Sequence, residues 1–133
     1  MSDPFEFAKQ RRARLPVEVN PRTGLDYIVT QEGRLELAGF DAAVEVRLRY
    51  IPDRDIIARA VFVDYLLALT EYDWSSLEDL SQTMLGDINS ELVPRWVQLI
   101  LTARPGGELH HVVLEDRQPK WDNPKLLARL QPH

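Results

Sequence analysis

Few residues in this chain of 133 have the types and spacing that support chemistry. Its three histidines are His110, His111 and His133. The first two are adjacent in a β-forming run, so their side chains point to opposite faces of a strand and cannot jointly hold one metal ion. A histidine zinc site needs several converging imidazoles, so no metal centre is predicted. Asp53, Asp55, Asp64 and Asp73 are scattered over turns and a polar helix face, where solvated carboxylates are the default. Cysteine is absent, which excludes disulfides, thiolate metal sites and covalent thiol catalysis. That leaves Glu78. It follows Ser75 by three residues at the start of an apolar-periodic run. This is the spacing of a capping box, in which serine bonds the third amide and glutamate reaches back.

The elements that position these residues can be read from periodicity. With 44% hydrophobic residues, the chain has material for one core. A strand is expected near residues 26–30. A second is marked by the alternation of Ala42, Val44, Val46, Leu48 and Tyr50 with Ala43, Glu45, Arg47 and Arg49. Gly33 and Gly39 read as turn points between the two. After Pro52-Asp53 the spacing turns helical, with Val61, Phe62, Tyr65, Leu66 and Leu69 on one face. A second helix runs from Ser75 to Pro94 with the stripe Leu77, Leu80, Met84, Ile88 and Leu92. Gly86 inside it either costs about 1 kcal/mol relative to Ala or allows close packing. Strands over 95–103 and 108–116 follow, joined by the hairpin turn Arg104-Pro105-Gly106-Gly107. Trp74 and Trp96 are expected in the core, with a subunit interface as the alternative.

The ends of the chain are more polar. Residues 1–14 suggest a helix capped by Asp3 with Pro4 at its first position, docked by Phe5 and Phe7. Lys9, Arg11, Arg12 and Arg14 are expected to project outward as a solvated arm; an acidic partner or RNA is the alternative. Residues 15–116 form the domain, and 117–133 a tail with a short helix starting at Asn123-Pro124. Sixteen Lys and Arg against 21 Asp and Glu give a net charge of −5, so no global attraction to nucleic acid or anionic lipid is expected. No apolar run reaches the roughly 20 residues of a membrane span, and "MSDPFEFAKQRRAR" lacks a signal-peptide core. A cytoplasmic protein is expected.

Strand, strand, helix, helix, strand, strand describes an α+β fold, a four-stranded antiparallel sheet with two helices on one face. Two open sheet edges need cover, and edge-to-edge assembly into a ring would supply it. The order ββααββ is also that of the tunnelling fold. Over residues 15–107 the chain resembles the short, single-module 7-cyano-7-deazaguanine (nitrile) reductase of queuosine biosynthesis, an NADPH-dependent family. The similarity rests on "LPVEVNP", "DYIV", "YIPD", "DYLLAL" and "LVPRWVQLILTARPGG", in that order.

The resemblance extends to the scaffold and stops at the chemistry. The family's Cys-Pro-x-Thr-Gly-Gln-Pro-Asp motif aligns with "RLELAGFDAAVEV". Gly39 falls on its glycine, the catalytic cysteine falls near Leu35, and the aspartate falls on Ala42, or on Asp41 with a one-residue slip. The polar segment that serves substrate and cofactor binding becomes Ala58-Arg59-Ala60-Val61-Phe62-Val63. The glutamate that anchors a purine-like base corresponds to Glu78, with Leu77 in place of the preceding histidine. The resemblance therefore implies a catalytically inactive relative: no catalytic residue, no bound NADPH, and a ring-forming homo-oligomer acting as a binding or structural protein. Its ligand would be purine- or pterin-like, held by Glu78, and a paralogous subunit is a further candidate partner. Two alternatives stand beside this. One is a tunnelling-fold enzyme doing acid–base work at a subunit boundary with Glu78 or His111. The other is an interaction module that recruits a partner through the basic arm.

Overall fold

Residues 4–130 are described by a computed structural model. The chain runs α1 (Pro4–Ala13), β1 (Glu18–Val19), β2 (Val29–Leu35), β3 (Val44–Ile51), β4 (Asp55–Ile56), α2 (Arg59–Leu69), α3 (Leu77–Leu92), β5 (Trp96–Ala103), β6 (His110–Arg117) and α4 (Pro124–Leu127). Strands β2-β3-β5-β6 form a four-stranded sheet in that order, every pair antiparallel, and β1 pairs with β4 as a small separate ribbon. The protein is thus α+β. Asp3, the expected cap of the first helix, and His133 lie outside the described residues.

Period-two alternation sorts the sheet into two faces. Val44, Val46, Leu48 and Tyr50 of β3 join Val97, Leu99 and Leu101 of β5 in the core. From α2, Phe62, Tyr65, Leu66 and Leu69 close over them, and from α3, Leu77, Leu80, Met84, Ile88 and Leu92. Each such side chain gains about 1.5–3 kcal/mol by leaving water. Both helical stripes face this one surface, as their spacing predicts. Trp96, also expected inside, is fully buried, and Trp74 is half-buried with its indole N–H donating to the Leu69 carbonyl at 2.8 Å.

Three expectations are corrected. The first strand of the four-stranded sheet is β2, over Val29–Leu35 rather than 26–30. Gly33 is therefore not a turn point; it pairs with Val46 in mid-strand. A side chain there would collide with Leu66 Cδ1, so glycine admits the α2 leucine against the sheet. The turn falls at Gly39, whose φ of +84° suits glycine. Gly86 serves no close packing, since nothing lies within 4 Å of where its Cβ would be.

The basic segment is the third correction. Helix α1 packs against α2 and α3, and its arginines do not all project outward. Arg11 Nε donates to Asp87 Oδ2 at 2.9 Å, Arg12 Nε lies 3.5 Å from Oδ1, and the Tyr65 hydroxyl donates to Oδ2 at 2.7 Å. Asp87 is 1% exposed. A buried carboxylate needs such partners, and this one recruits them from the N-terminal helix. Burial, then the Asp87 charge beside it, raises the Tyr65 pKa well above the ordinary phenol value. Phe7 docks against Tyr72, whereas Phe5 is exposed. Among the described residues, no helix is long and apolar enough to cross a membrane.

Candidate functional site

The start of α3 decides what Glu78 can do. Ser76, in extended conformation, is the N-cap, and its hydroxyl accepts the Asp79 amide at 3.0 Å. Asp79 Oδ2 reaches back to accept the Ser75 amide at 3.1 Å and the Ser75 hydroxyl at 3.2 Å. The cap therefore lies on Ser76, one residue later than expected, and Asp79 reaches past it to Ser75 instead of closing the box on the Ser76 amide. "SSLED" holds two overlapping serine-x-x-acid pairs, and the apolar stripe selects between them by burying Leu77 as the first helical residue. Glu78 takes no part in that exchange, and its carboxylate instead meets its own first-turn backbone N–H. Its carboxylate also meets His110 Nε2 of β6 at 3.2 Å. Its own backbone N–H and then the His110 contact hold its pKa below the usual carboxylate value.

His110 joins this pair to a cavity of about 220 Å³. One wall is the loop Gly39-Phe40-Asp41-Ala42; another is Ser75, Ser76 and Leu77 at the start of α3. Ala103, Pro105 and His110 close the third side from the β5–β6 hairpin. Three segments remote in sequence thus meet at this cavity, which His110 lines and Glu78 does not. Both Asp41 and Ala42, the two positions onto which the family's aspartate falls, line it. Leu35, where the cysteine would fall, is instead fully buried core at the end of β2. None of Ala58 to Val63 lines this cavity: Phe62 is core, and Val63 is exposed on α2.

His111 diverges from His110, as adjacent strand residues must. It faces the sheet surface away from α2 and α3, with Nδ1 2.9 Å from the Thr102 hydroxyl. There it borders a shallow charged cleft of about 510 Å³ with Glu32, Arg34, Glu45 and Arg47. Among the described residues, no group of three or more His, Asp or Glu side chains is placed to hold a metal ion.

Four of the stretches that carry the resemblance converge at the opposite end of β3, while Ala103 and Pro105 of the last one line the cavity above. Asn20 donates to the Asp53 carbonyl at 2.8 Å and accepts the Tyr27 hydroxyl at 2.5 Å. Arg95 donates to Asp26 at 2.9 Å, Asp53 at 3.3 Å and the Thr23 carbonyl at 2.6 Å. The tail is tied in by Trp121 and Asn123 donating to Asp26, and by Gln118 donating to Asp53. Partial burial pushes the Asp26 carboxyl up, but the Asn123, Trp121 and Arg95 bonds outweigh it and hold its pKa below the ordinary value. Thus "VNP", "DYIV", "YIPD" and "PRW" build one structural knot. It lies an eight-residue strand, about 25 Å, from the Glu78 cavity.

Sequence reasoning singled out Glu78 and did not pair it with His110. The signal was present: His110 and Val112 occupy alternate positions of the strand predicted over 108–116, on the face that meets α3. No protein-family model matches this chain, and no curated protein matches it.

Proposed function

We propose that this chain is a non-catalytic tunnelling-fold protein related to 7-cyano-7-deazaguanine reductase, which assembles through its sheet edges into a ring and holds a purine- or pterin-like molecule at Glu78. The observation that carries this is the Glu78–His110 contact, which sets the carboxylate beside a 220 Å³ cavity lined by His110, with Glu78 outside the Ser76–Asp79 cap. A carboxylate has two oxygens and accepts a pair of parallel N–H groups, the pattern on the amino-pyrimidinone edge of guanine-like and pterin rings. His110 Nε2 stands 3.2 Å from both oxygens, and a ligand bound in this way would displace it.

The erased chemistry supports a binding role. Addition to a nitrile needs a nucleophile of thiolate character at a fixed point, and Leu35 packs in the core there. In the segment that would meet a dinucleotide, only Arg59 carries a hydrogen-bonding side chain, so these residues do not fit NADPH. The element order β2-β3-α2-α3-β5-β6 and the outermost position of β2 and β6 support the ring, because exposed edges call for pairing. The cavity is smaller than the roughly 300 Å³ or more of ordinary ligand sites, which suits a pocket completed by a neighbouring subunit.

Native mass spectrometry of the freshly purified chain tests this. A multimer carrying a purine- or pterin-sized adduct that Glu78→Gln loses is expected. A monomer would contradict the ring, and an adduct-free multimer would contradict the ligand. One observation favours a second reading: carboxylate–imidazole contact is also the geometry of a general acid–base pair, with Asp41 across the cavity. Turnover lost in both His110→Gln and Glu78→Gln would select that reading.

A further inference from the structure

We propose that the groove between α1 and the α2–α3 turn is a binding site for a methylated ammonium cation. It is independent of the Glu78 cavity. The groove encloses about 570 Å³ and is lined by three aromatic side chains, Phe7 from α1 with Tyr72 and Trp74 from the turn. Their rings do not stack. Phe7 and Tyr72 meet at 5.3 Å with planes 83° apart, and Tyr72 and Trp74 at 6.2 Å with planes 57° apart. Rings inclined in this way do not cover one another's faces completely, and a cation is attracted to such a face.

The walls are held in place before any ligand arrives. Trp74 Nε1 donates to the Leu69 carbonyl at 2.8 Å, and the Tyr72 hydroxyl donates to Gln10 Oε1 at 3.1 Å. Fixed rings lose little freedom on binding, which favours affinity. The charge around them points to a cation. Glu71, Asp73 and Asp79 line the same groove. The one cation among the lining residues is Arg11, whose Nε is bonded to Asp87 at 2.9 Å. Its guanidinium carbon lies 5.9 Å from the Tyr72 ring centroid, so this ring face already meets a positive group.

The form of the cation follows from the walls. A bare ammonium brings three N–H groups that aromatic rings satisfy poorly, and it keeps its water. A trimethylammonium head has no N–H to satisfy and presents methyl groups to the rings, while the carboxylates act on its charge through space. A free molecule such as choline and a trimethylated lysine side chain both present this head.

Nuclear magnetic resonance titration of the intact chain tests the site with three probes. Choline and an acetylated trimethyllysine amide carry the charge; 3,3-dimethylbutanol has the shape of choline without it. The expected result is saturable shifts of the Trp74 indole and the Phe7 and Tyr72 rings, with the uncharged probe weaker by about tenfold. Tyr72→Leu should weaken choline binding by about fivefold. Should that variant not fold, Phe7→Leu and the charged-against-uncharged comparison still decide the matter. Tighter binding of choline assigns a free small molecule, and tighter binding of the lysine probe a modified side chain. Equal binding of choline and 3,3-dimethylbutanol, or shifts confined to other residues, would overturn the site.

Discussion

Glu78 and His110 lie 3.2 Å apart, joining the first turn of α3 to the start of β6 at the edge of the 220 Å³ cavity. The Glu78 pKa is held below its ordinary value of 4.5, by its own amide first and by His110 second. A lowered folded-state value means that the charged carboxylate is fully present above 4.5 and is lost only as pH falls through the lower value. Ligand retention by Glu78 should therefore persist as pH falls to 4.5 and decline below it. Binding measured at stepwise lower pH checks this. A decline centred above 4.5 would assign retention to another group.

The position of the cap gives a second, independent test of why Glu78 is available. Ser76→Ala should cost about 1 kcal/mol in urea unfolding, because the Asp79 amide loses its acceptor. Ser75→Ala removes only an exposed hydroxyl contact to Asp79 and should cost less than half of that. The reverse order would restore Glu78 to the capping box.

Arg11→Ala should destabilise the chain by about 3 kcal/mol, since it strips the closest cation from a buried carboxylate. Lys9→Ala, on the exposed side of the same helix, should fall within about 0.5 kcal/mol of the parent. Thermal unfolding of the two variants separates a helix fastened at Asp87 from a loose basic arm, for which both changes would be equally mild.

The glycines in β2 and α3 predict opposite signs. Gly86→Ala fills open space on a helix surface and should stabilise by about 0.5–1 kcal/mol. Gly33→Ala forces Leu66 out of its place in the core and should destabilise by about 1–2 kcal/mol. Urea midpoints of both variants provide the comparison.

What was legible in the sequence was periodic. The alternation through β3 and the leucine stripe of α3 depend on local spacing alone, and both faces are buried as their patterns predict. The choice between Ser75 and Ser76 as cap was not legible, because both satisfy the same short motif and only the burial of Leu77 separates them. Arg11 and Asp87 are 76 residues apart, and no local pattern pairs them. Gly33 looked like a turn because glycine is usually punctuation; its role depends on Leu66, which approaches from another element. The Glu78–His110 contact is of the same kind. It needs the register that sets His110 opposite Ala103 and the packing of α3 against β6.

The most direct measurement is a calorimetric titration of the chain with 7-cyano-7-deazaguanine and with pterin, in the presence of NADPH and with its absorbance followed. Saturable binding of at least one ring, abolished by Glu78→Gln and without NADPH oxidation, is expected of a non-catalytic pocket. Oxidation of NADPH, or undiminished binding by the Glu78→Gln variant, would contradict it.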